Sequence, residues 1–244
     1  MTTAEEDAPG NRAWFRDWAD EYDATLGKVS RHGIMLDLAV GASGVADNDE
    51  VLDIGCGTGL LSLRFLAAAD CRVTAIDTSA EMLALFREKV ERYGLAERVR
   101  CLQASAEKMD FDPGRFDIVA ATVSLHHVRE KEPVVGAIHN SLKEGGRFVL
   151  GEIDLDTTGS LDDPVRLSRI LEYLAGELVL AMRDGGVQAF ERMYENGKKH
   201  ILNDGEYCVA MRQWEELCRE AGFRDVTVHP VPGFDWFRVL VATK

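Results

Sequence analysis

The sequence predicts an α/β fold in which helices cover both faces of a mostly parallel sheet, and three observations carry that expectation. Short apolar runs alternate with helix-forming stretches across residues 50–153, the rhythm of βα units joined by right-handed crossovers. The run at 116–123 is apolar almost throughout, as suits a strand covered on both faces. A glycine cluster, Gly55-Cys56-Gly57-Thr58-Gly59, follows the first run and lets the backbone bend between strand and helix without side chains in the way.

The elements follow in order. Residues 51–54 read as a strand, 60–69 as a helix and 72–76 as a second strand closed by Asp77. Thr78 with Glu81 has the form of a capping box, Met82, Phe86, Val90 and Tyr93 recur at helical spacing, and Gly94 suits the residue just past that helix. Residues 99–103 and 116–123 supply two more strands. Pro133 opens a helix that runs to about residue 143 and ends at Gly145-Gly146, before a fifth strand at 147–153. After Asp154 the alternation stops. Asp163-Pro164 starts a helix with apolar positions Leu167, Leu171, Leu174, Leu178 and Met182, Gly185-Gly186 break it, and 187–195 form a second short helix. The rhythm resumes with a helix carrying Trp214, Leu217 and Cys218 and ended by Gly222, a strand at 226–228, a turn at 230–233 and an alternating strand through Phe237, Val239 and Val241. So short a connection makes the last two strands antiparallel. The expectation is one domain over 1–244: an N-terminal helical segment (1–45), a seven-stranded core (46–154 and 206–244) and a helical insertion (155–205) placed as a lid.

The 28 Lys and Arg against 42 Asp and Glu give a formal charge of −14 over 244 residues, which disfavours nucleic acid and anionic membrane surfaces as partners. A content of 46% hydrophobic residues is enough for a substantial core. Residues 1–11 lack the basic start and apolar stretch of a secretory signal, and no apolar run approaches the ~18 residues needed to span a bilayer. Cys56, Cys71, Cys101, Cys208 and Cys218 are scattered and form no C-x-x-C pair with histidines. They read as free thiols of a cytoplasmic protein, and no metal site is expected from them.

A strand that runs into Gly-x-Gly-x-Gly and then a helix brings a ligand close to main-chain N–H groups and a helix N-terminus. The dinucleotide fingerprint wants its third glycine one place later, where Leu60 stands, and no G-K-[S/T] follows. Asp77 closes the second strand 22 residues after Gly55, a position from which a carboxylate accepts hydrogen bonds from ribose hydroxyls. The loop reads as one that holds a nucleoside without a pyrophosphate.

On these residues the chain resembles the class I S-adenosylmethionine-dependent methyltransferases of the small-molecule type 11/type 25 kind. The resemblance rests on the block from Val51 through Asp53 to Gly59, on Val73-Thr74-Ala75-Ile76-Asp77, Phe116-Asp117-Ile118-Val119, Leu125-His126-His127-Val128 and Leu142-Lys143-Glu144-Gly145-Gly146-Arg147, and covers roughly 14–154 and 206–243. It implies a Rossmann-like doubly wound sheet, mostly parallel with an antiparallel last strand. S-adenosyl-L-methionine would be the cofactor and S-adenosyl-L-homocysteine the product. Gly55, Cys56 and Gly57 would line its methionine part, Asp53 would order the loop, and Asp77 would take the ribose hydroxyls, with Thr78 and Met82 beside the adenine. The acidic residue usual after the third strand is replaced by Ser105, followed by Ala106, a departure that weakens the contact to the adenine amino group. Thr122 would lie near the sulfonium, and Tyr22 would close over the cofactor.

Periodicity alone assigns Met82 to a helix core as readily as to a cofactor wall, and Cys56 reads as a small residue in a crowded turn, with no base beside it. His126 and His127 stand where the fourth strand ends, at the edge where open α/β sheets bind ligands. His126 is the candidate general base and a packed histidine is the alternative. Glu152 and Asp154 leave the fifth strand at the same edge, while Tyr194, His200 and Tyr207 belong to or adjoin the insertion. Methyl transfer needs alignment above all, and a base only when the acceptor must lose a proton. The expected acceptor is a small molecule. Two other classes fit parts of the pattern: a protein that binds S-adenosylmethionine without turnover, and a nucleotide-dependent oxidoreductase, against which the early third glycine counts.

Overall fold

The computed structural model describes residues 23, 28–160, 162–200 and 206–244. Seven strands, β1 (Glu50–Ile54), β2 (Arg72–Asp77), β3 (Val99–Gln103), β4 (Phe116–Thr122), β5 (Leu142–Ile153), β6 (Arg224–Val231) and β7 (Phe234–Thr243), are accompanied by α1 (Ser30–Ser43), α2 (Leu60–Ala68), α3 (Ala80–Arg92), α4 (Lys131–Ser141), α5 (Pro164–His200) and α6 (Met211–Glu220). The strands lie in the order β3-β2-β1-β4-β5-β7-β6 in one sheet. Pairs among β1 to β5 are parallel, and β7 runs against both neighbours, β5 and β6. The winding reverses between β1 and β4, so the crevice outside their carboxyl ends is where such a sheet takes a ligand.

Alternation along each strand divides the core. Val51, Val73, Ala75, Ile118, Ala120, Val149 and Val239 face one side, where Met35 and Leu36 of α1, Phe65 of α2 and Phe86 of α3 pack on them. Leu52, Ile54, Ile76, Val119, Ala121, Phe148 and Leu240 face the other, beneath Val134 and Ile138 of α4 and Trp214 and Cys218 of α6. This period of two is what a strand buried on both faces requires, and each such Leu or Phe contributes about 1.5–3 kcal/mol by leaving water.

Three local expectations are corrected. The cap of α3 is Ser79, whose hydroxyl accepts from the Met82 N–H at 3.1 Å, because Asp77 already accepts from the Ser79 N–H and carries the turn one residue past Thr78. Helix α4 begins at Lys131 and stops at Ser141, and Gly145-Gly146 belong to β5 rather than to a helix end. They sit where β5 advances from Leu142 to Arg147 while β4 advances only from Phe116 to Ile118, a bulge that takes up the surplus residues. In the insertion, the break falls at Gly186, whose φ of 71° and ψ of −162° kink α5, but the buried stripe is rotated. Ile170, Tyr173, Leu174, Leu180 and Ala181 are buried, whereas Leu171 and Met182 are 56% and 41% exposed. The rotation is set by polar anchors: buried Glu177 pairs with Arg31 of α1 at 2.7 Å, and Asp184 accepts from the Ser30 N–H at 2.8 Å. Beyond the kink, Ala189 and Met193 join Leu180, Ala181, Val29 and Met82 in a third cluster. Among the described residues no helix is long and apolar enough to cross a membrane.

Candidate active site

The glycine loop is pinned to β2 by its own backbone. Gly55 and Cys56 both donate to the carbonyl of Ile76, at 2.8 and 3.0 Å, and Gly59 donates to Cys56 at 2.9 Å. All three glycines have positive φ, yet they serve different ends. A Cβ on Gly55 would lie 2.4 Å from the Ser124 Cβ, and one on Gly59 would lie 2.0 Å from the Phe86 ring. A Cβ on Gly57 would meet no heavy atom within 4 Å among the described residues. The first two glycines are therefore demanded by protein packing, and the third leaves a bare stretch of backbone facing outward at the switch point.

Asp77 reaches across to that stretch. One carboxylate oxygen accepts from Gly57 N–H and the other from Ser79 N–H, each at 2.8 Å. Burial holds its carboxyl above the usual range, and these backbone donors oppose the shift. Asp53 lies beneath the loop, 1% exposed, and accepts from the Ser62 hydroxyl at 2.6 Å, tying β1 to the first turn of α2. Its pKa is pushed up to about 7 by burial, with Ser62 opposing and Asp77 adding to the rise. Asp23 accepts from the Thr58 hydroxyl at 2.6 Å and pairs with Lys89, which also donates to the Thr58 carbonyl at 2.9 Å. The N-terminal segment thus touches the loop at Asp23. Tyr22, its neighbour in sequence, lies outside the described residues.

The other residues expected at the site have varied surroundings. Cys56 is buried, and burial raises its thiol pKa well above the ordinary value, so it is no nucleophile. Met82 is buried and packs in the cluster with α5. Thr78 is exposed and accepts through its carbonyl from Gln103. Ser105 caps the one-turn helix Ala106–Lys108 by accepting from Glu107 N–H at 3.3 Å, and Ala106 is half-buried behind it. Thr122 ends β4 opposite Gly151 of β5.

The β4 end is built from side chains. Val123 adopts a φ of 48°, an unfavourable conformation for a β-branched residue that costs about 1–2 kcal/mol. It turns the chain so that the Ser124 hydroxyl donates to the Ile54 carbonyl at 2.9 Å and the Ser124 N–H to Glu152 at 3.0 Å. The one-turn helix Leu125–His127 follows. Nδ1 of His126 lies 2.9 and 3.1 Å from the two Glu152 oxygens, and both side chains are almost wholly buried. Burial lowers the pKa of the imidazole, but the Glu152 carboxylate, joined by that of Glu206, outweighs burial and Lys131, and the net shift is upward. The same pairing lowers Glu152 although burial raises it.

Glu206, which sequence reasoning missed, faces the other imidazole nitrogen: its Oε1 is 4.0 Å from His126 Nε2. Burial, reinforced by Glu152 and opposed by His126, pushes its pKa up to about 7. Tyr207 N–H donates to the His126 carbonyl at 2.7 Å and Thr157 N–H to that of Cys208 at 3.0 Å, so both residues that follow Glu206 are fixed by backbone bonds.

Residues 51–146 match the family described as a methyltransferase domain. The chain is 30% identical over 224 residues to the Ubiquinone/menaquinone biosynthesis C-methyltransferase UbiE of Pseudomonas paraeruginosa, covering 90% of this chain and 83% of that one. To the protein of the same name from Methylococcus capsulatus it is 33% identical over 145 residues, and the match spans 58% of either chain. The solved Haemonchus contortus phosphoethanolamine N-methyltransferase 2, in complex with S-adenosyl-L-methionine, has the same fold at a TM-score of 0.62 and 18% identity, covering 94% of this chain and 60% of that one. With an open Gly57 and a carboxylate bridging the loop at the switch point, the chain belongs to the class I S-adenosylmethionine-dependent methyltransferases of the type 11/type 25 family.

Proposed function

We propose that the protein methylates a small-molecule acceptor, with His126 as the general base. The observation that carries the reading is Gly57, whose outward face no described side chain covers: the backbone is bare where the nucleoside-bearing cofactor has to approach. Asp77 suits the ribose, because each of its oxygens has spent one lone pair on a backbone N–H and keeps another for a hydroxyl. Gly55 and Cys56 would flank the methionine part, with Asp53 beneath them. Thr78, Met82, Ser105 and Ala106 would wall the adenine, Thr122 would stand near the sulfonium, and Tyr22 would close over it. When bound, the cofactor would supply a methyl group carried on a cationic sulfur, which would keep the bonding pair as the acceptor takes the methyl.

His126 draws a proton from the acceptor at Nε2. Its Nδ1 is fixed against Glu152, which orients the ring and stabilises the imidazolium that forms. The excess of 42 acidic over 28 basic residues supports a small molecule over a nucleic acid. The name of the Pseudomonas relative supports carbon methylation of a quinol-type ring as the first acceptor to try, a reaction in which loss of a hydroxyl proton makes the ring carbon nucleophilic. Five free cysteines support a cytoplasmic setting. The kinked α5, tied to α1 through Arg31 and Ser30 and packed on Met82 of α3, supports residues 155–205 as a lid that keeps water from the reacting atoms.

The test is incubation with S-adenosylmethionine and a panel of phenols and quinols, followed by mass spectrometry. S-adenosylhomocysteine should form together with an acceptor heavier by one methyl group. Tight cofactor binding without product across the panel would instead favour a binding protein.

A further inference from the structure

The arrangement around Glu206 is unusual for a carboxylate that has only a proton to share. Its side chain is 4% exposed, and Oε2 is buried with no hydrogen-bond partner among the described residues, a state that penalises the charged carboxylate. His126 Nε2 lies 4.0 Å from Oε1, too far for a hydrogen bond. The ring of His127 lies 4.2 Å from that of His126, centroid to centroid. One ligand atom from each of His126, His127 and Glu206 lies within 4.8 Å of the others. Ligand atoms 2.0–2.2 Å from one zinc ion stand about 3–4 Å apart, so a small inward movement closes the set.

Two further features suit a cation. His126 Nδ1 is already engaged by Glu152 at 2.9 Å, which leaves the Nε2 lone pair on the side of Glu206; an outer carboxylate holding the far nitrogen is the usual support for a metal-binding imidazole. Two buried carboxylates, Glu152 and Glu206, flank the imidazole, while the Lys131 ammonium, which interacts with Glu152, is turned to the Val128 carbonyl at 2.6 Å. A divalent ion at Nε2 would balance that charge.

We propose that His126, His127 and Glu206 form a binding site for one divalent transition-metal ion of the zinc type. Two imidazoles and one carboxylate are borderline ligands that select zinc, cobalt or nickel over magnesium or calcium. Resting on the base reading above, a second consequence follows: an ion on His126 Nε2 occupies the lone pair that would take the acceptor's proton, so metal occupancy silences methyl transfer while leaving the cofactor loop untouched.

The test uses full-length protein stripped with a chelator and dialysed against buffered zinc, with bound metal counted by plasma mass spectrometry. One zinc per chain is expected. Glu206→Gln and His127→Ala should each weaken it tenfold or more, whereas Cys101→Ser should leave it unchanged. Cobalt in place of zinc should give d–d bands without thiolate charge transfer. Zinc held equally well by both ligand variants, lost in Cys101→Ser, or not retained at all overturns the site. Should His127→Ala fail to fold by its thermal transition, Glu206→Gln with Glu206→Asp as partial rescue decides the question. Zinc that binds with the expected variant pattern but leaves turnover unchanged keeps the site and overturns the inhibitory consequence and the base role of His126.

Discussion

At the β1–β2 end the site is made of backbone. Three glycines, the Ile76 carbonyl and the N–H of Gly57 shape it, with the Asp77 carboxylate spanning from the loop to Ser79. At the β4–β5 end the backbone only delivers side chains, and Ser124, His126, Glu152 and Glu206 bond to or face one another from three separated segments. The first region presents fixed N–H groups to a constant ligand. The second is a buried ionisable cluster whose members set one another's charge, the kind of region in which acceptor choice and proton handling vary on a shared scaffold.

The difference is sharpest in turnover. Replacing His126 with Asn should lower kcat by about 10²–10⁴ while cofactor affinity by calorimetry stays within twofold; an equal loss in both would erase the division between the two ends. Protonation of Asp53 comes next. Its folded pKa of about 7 lies above the ordinary 3.8, so its contribution is fully present below pH 4 and is lost as pH rises through 7, up to about 4 kcal/mol at ~1.4 kcal/mol per pK unit. Asp53→Asn, which keeps an acceptor for Ser62, should flatten that part of the stability profile of the cofactor-free protein in denaturant titrations; a wild-type profile with no such decline assigns Asp53 an ionised state. Asp77→Ala should weaken S-adenosylmethionine by ~1.5–3 kcal/mol, and an unchanged Kd would place the ribose elsewhere. The smallest effect belongs to Ser62→Ala, which removes the hydroxyl donor from buried Asp53 and leaves the Ser62 backbone N–H, and should cost about 1–2 kcal/mol of stability; no change in Tm would show that the bond contributes nothing net.

What was legible in the sequence follows the same division. The backbone-built end could be read because glycine spacing and a carboxylate closing the next strand are local patterns, and the mostly parallel sheet with its antiparallel β7 followed from alternation and a short turn, whereas the order of the strands came from the structure alone. The distinction between Gly57 and its neighbours was not local: Gly55 is enforced by Ser124 and Gly59 by Phe86, residues dozens of positions away. Glu206 was missed because 80 positions and the whole insertion separate it from His126, and the backbone bond that fixes Tyr207 to His126 carries no side-chain signature. Ser62 left a faint signal, a polar residue inside an apolar helical stretch. The rotated face of α5 was misread because Glu177 counts as polar in any periodicity, although Arg31 makes it a buried residue. The cap of α3 slipped by one because Thr78 and Ser79 are chemically equivalent until Asp77 chooses between them.

The central claim is that the bare backbone at Gly57 is where S-adenosylmethionine sits. It is tested most directly by titrating the cofactor into wild-type protein and Gly57→Val in parallel, with thermal melts of both. A Cβ at this position meets no described atom within 4 Å, so among the described residues the folding cost is the strain from the positive φ, about 1–3 kcal/mol. A cooperative melt with cofactor binding reduced at least a hundredfold is the predicted result. A Gly57→Val protein that melts cooperatively and binds S-adenosylmethionine as tightly as the wild type would contradict the account.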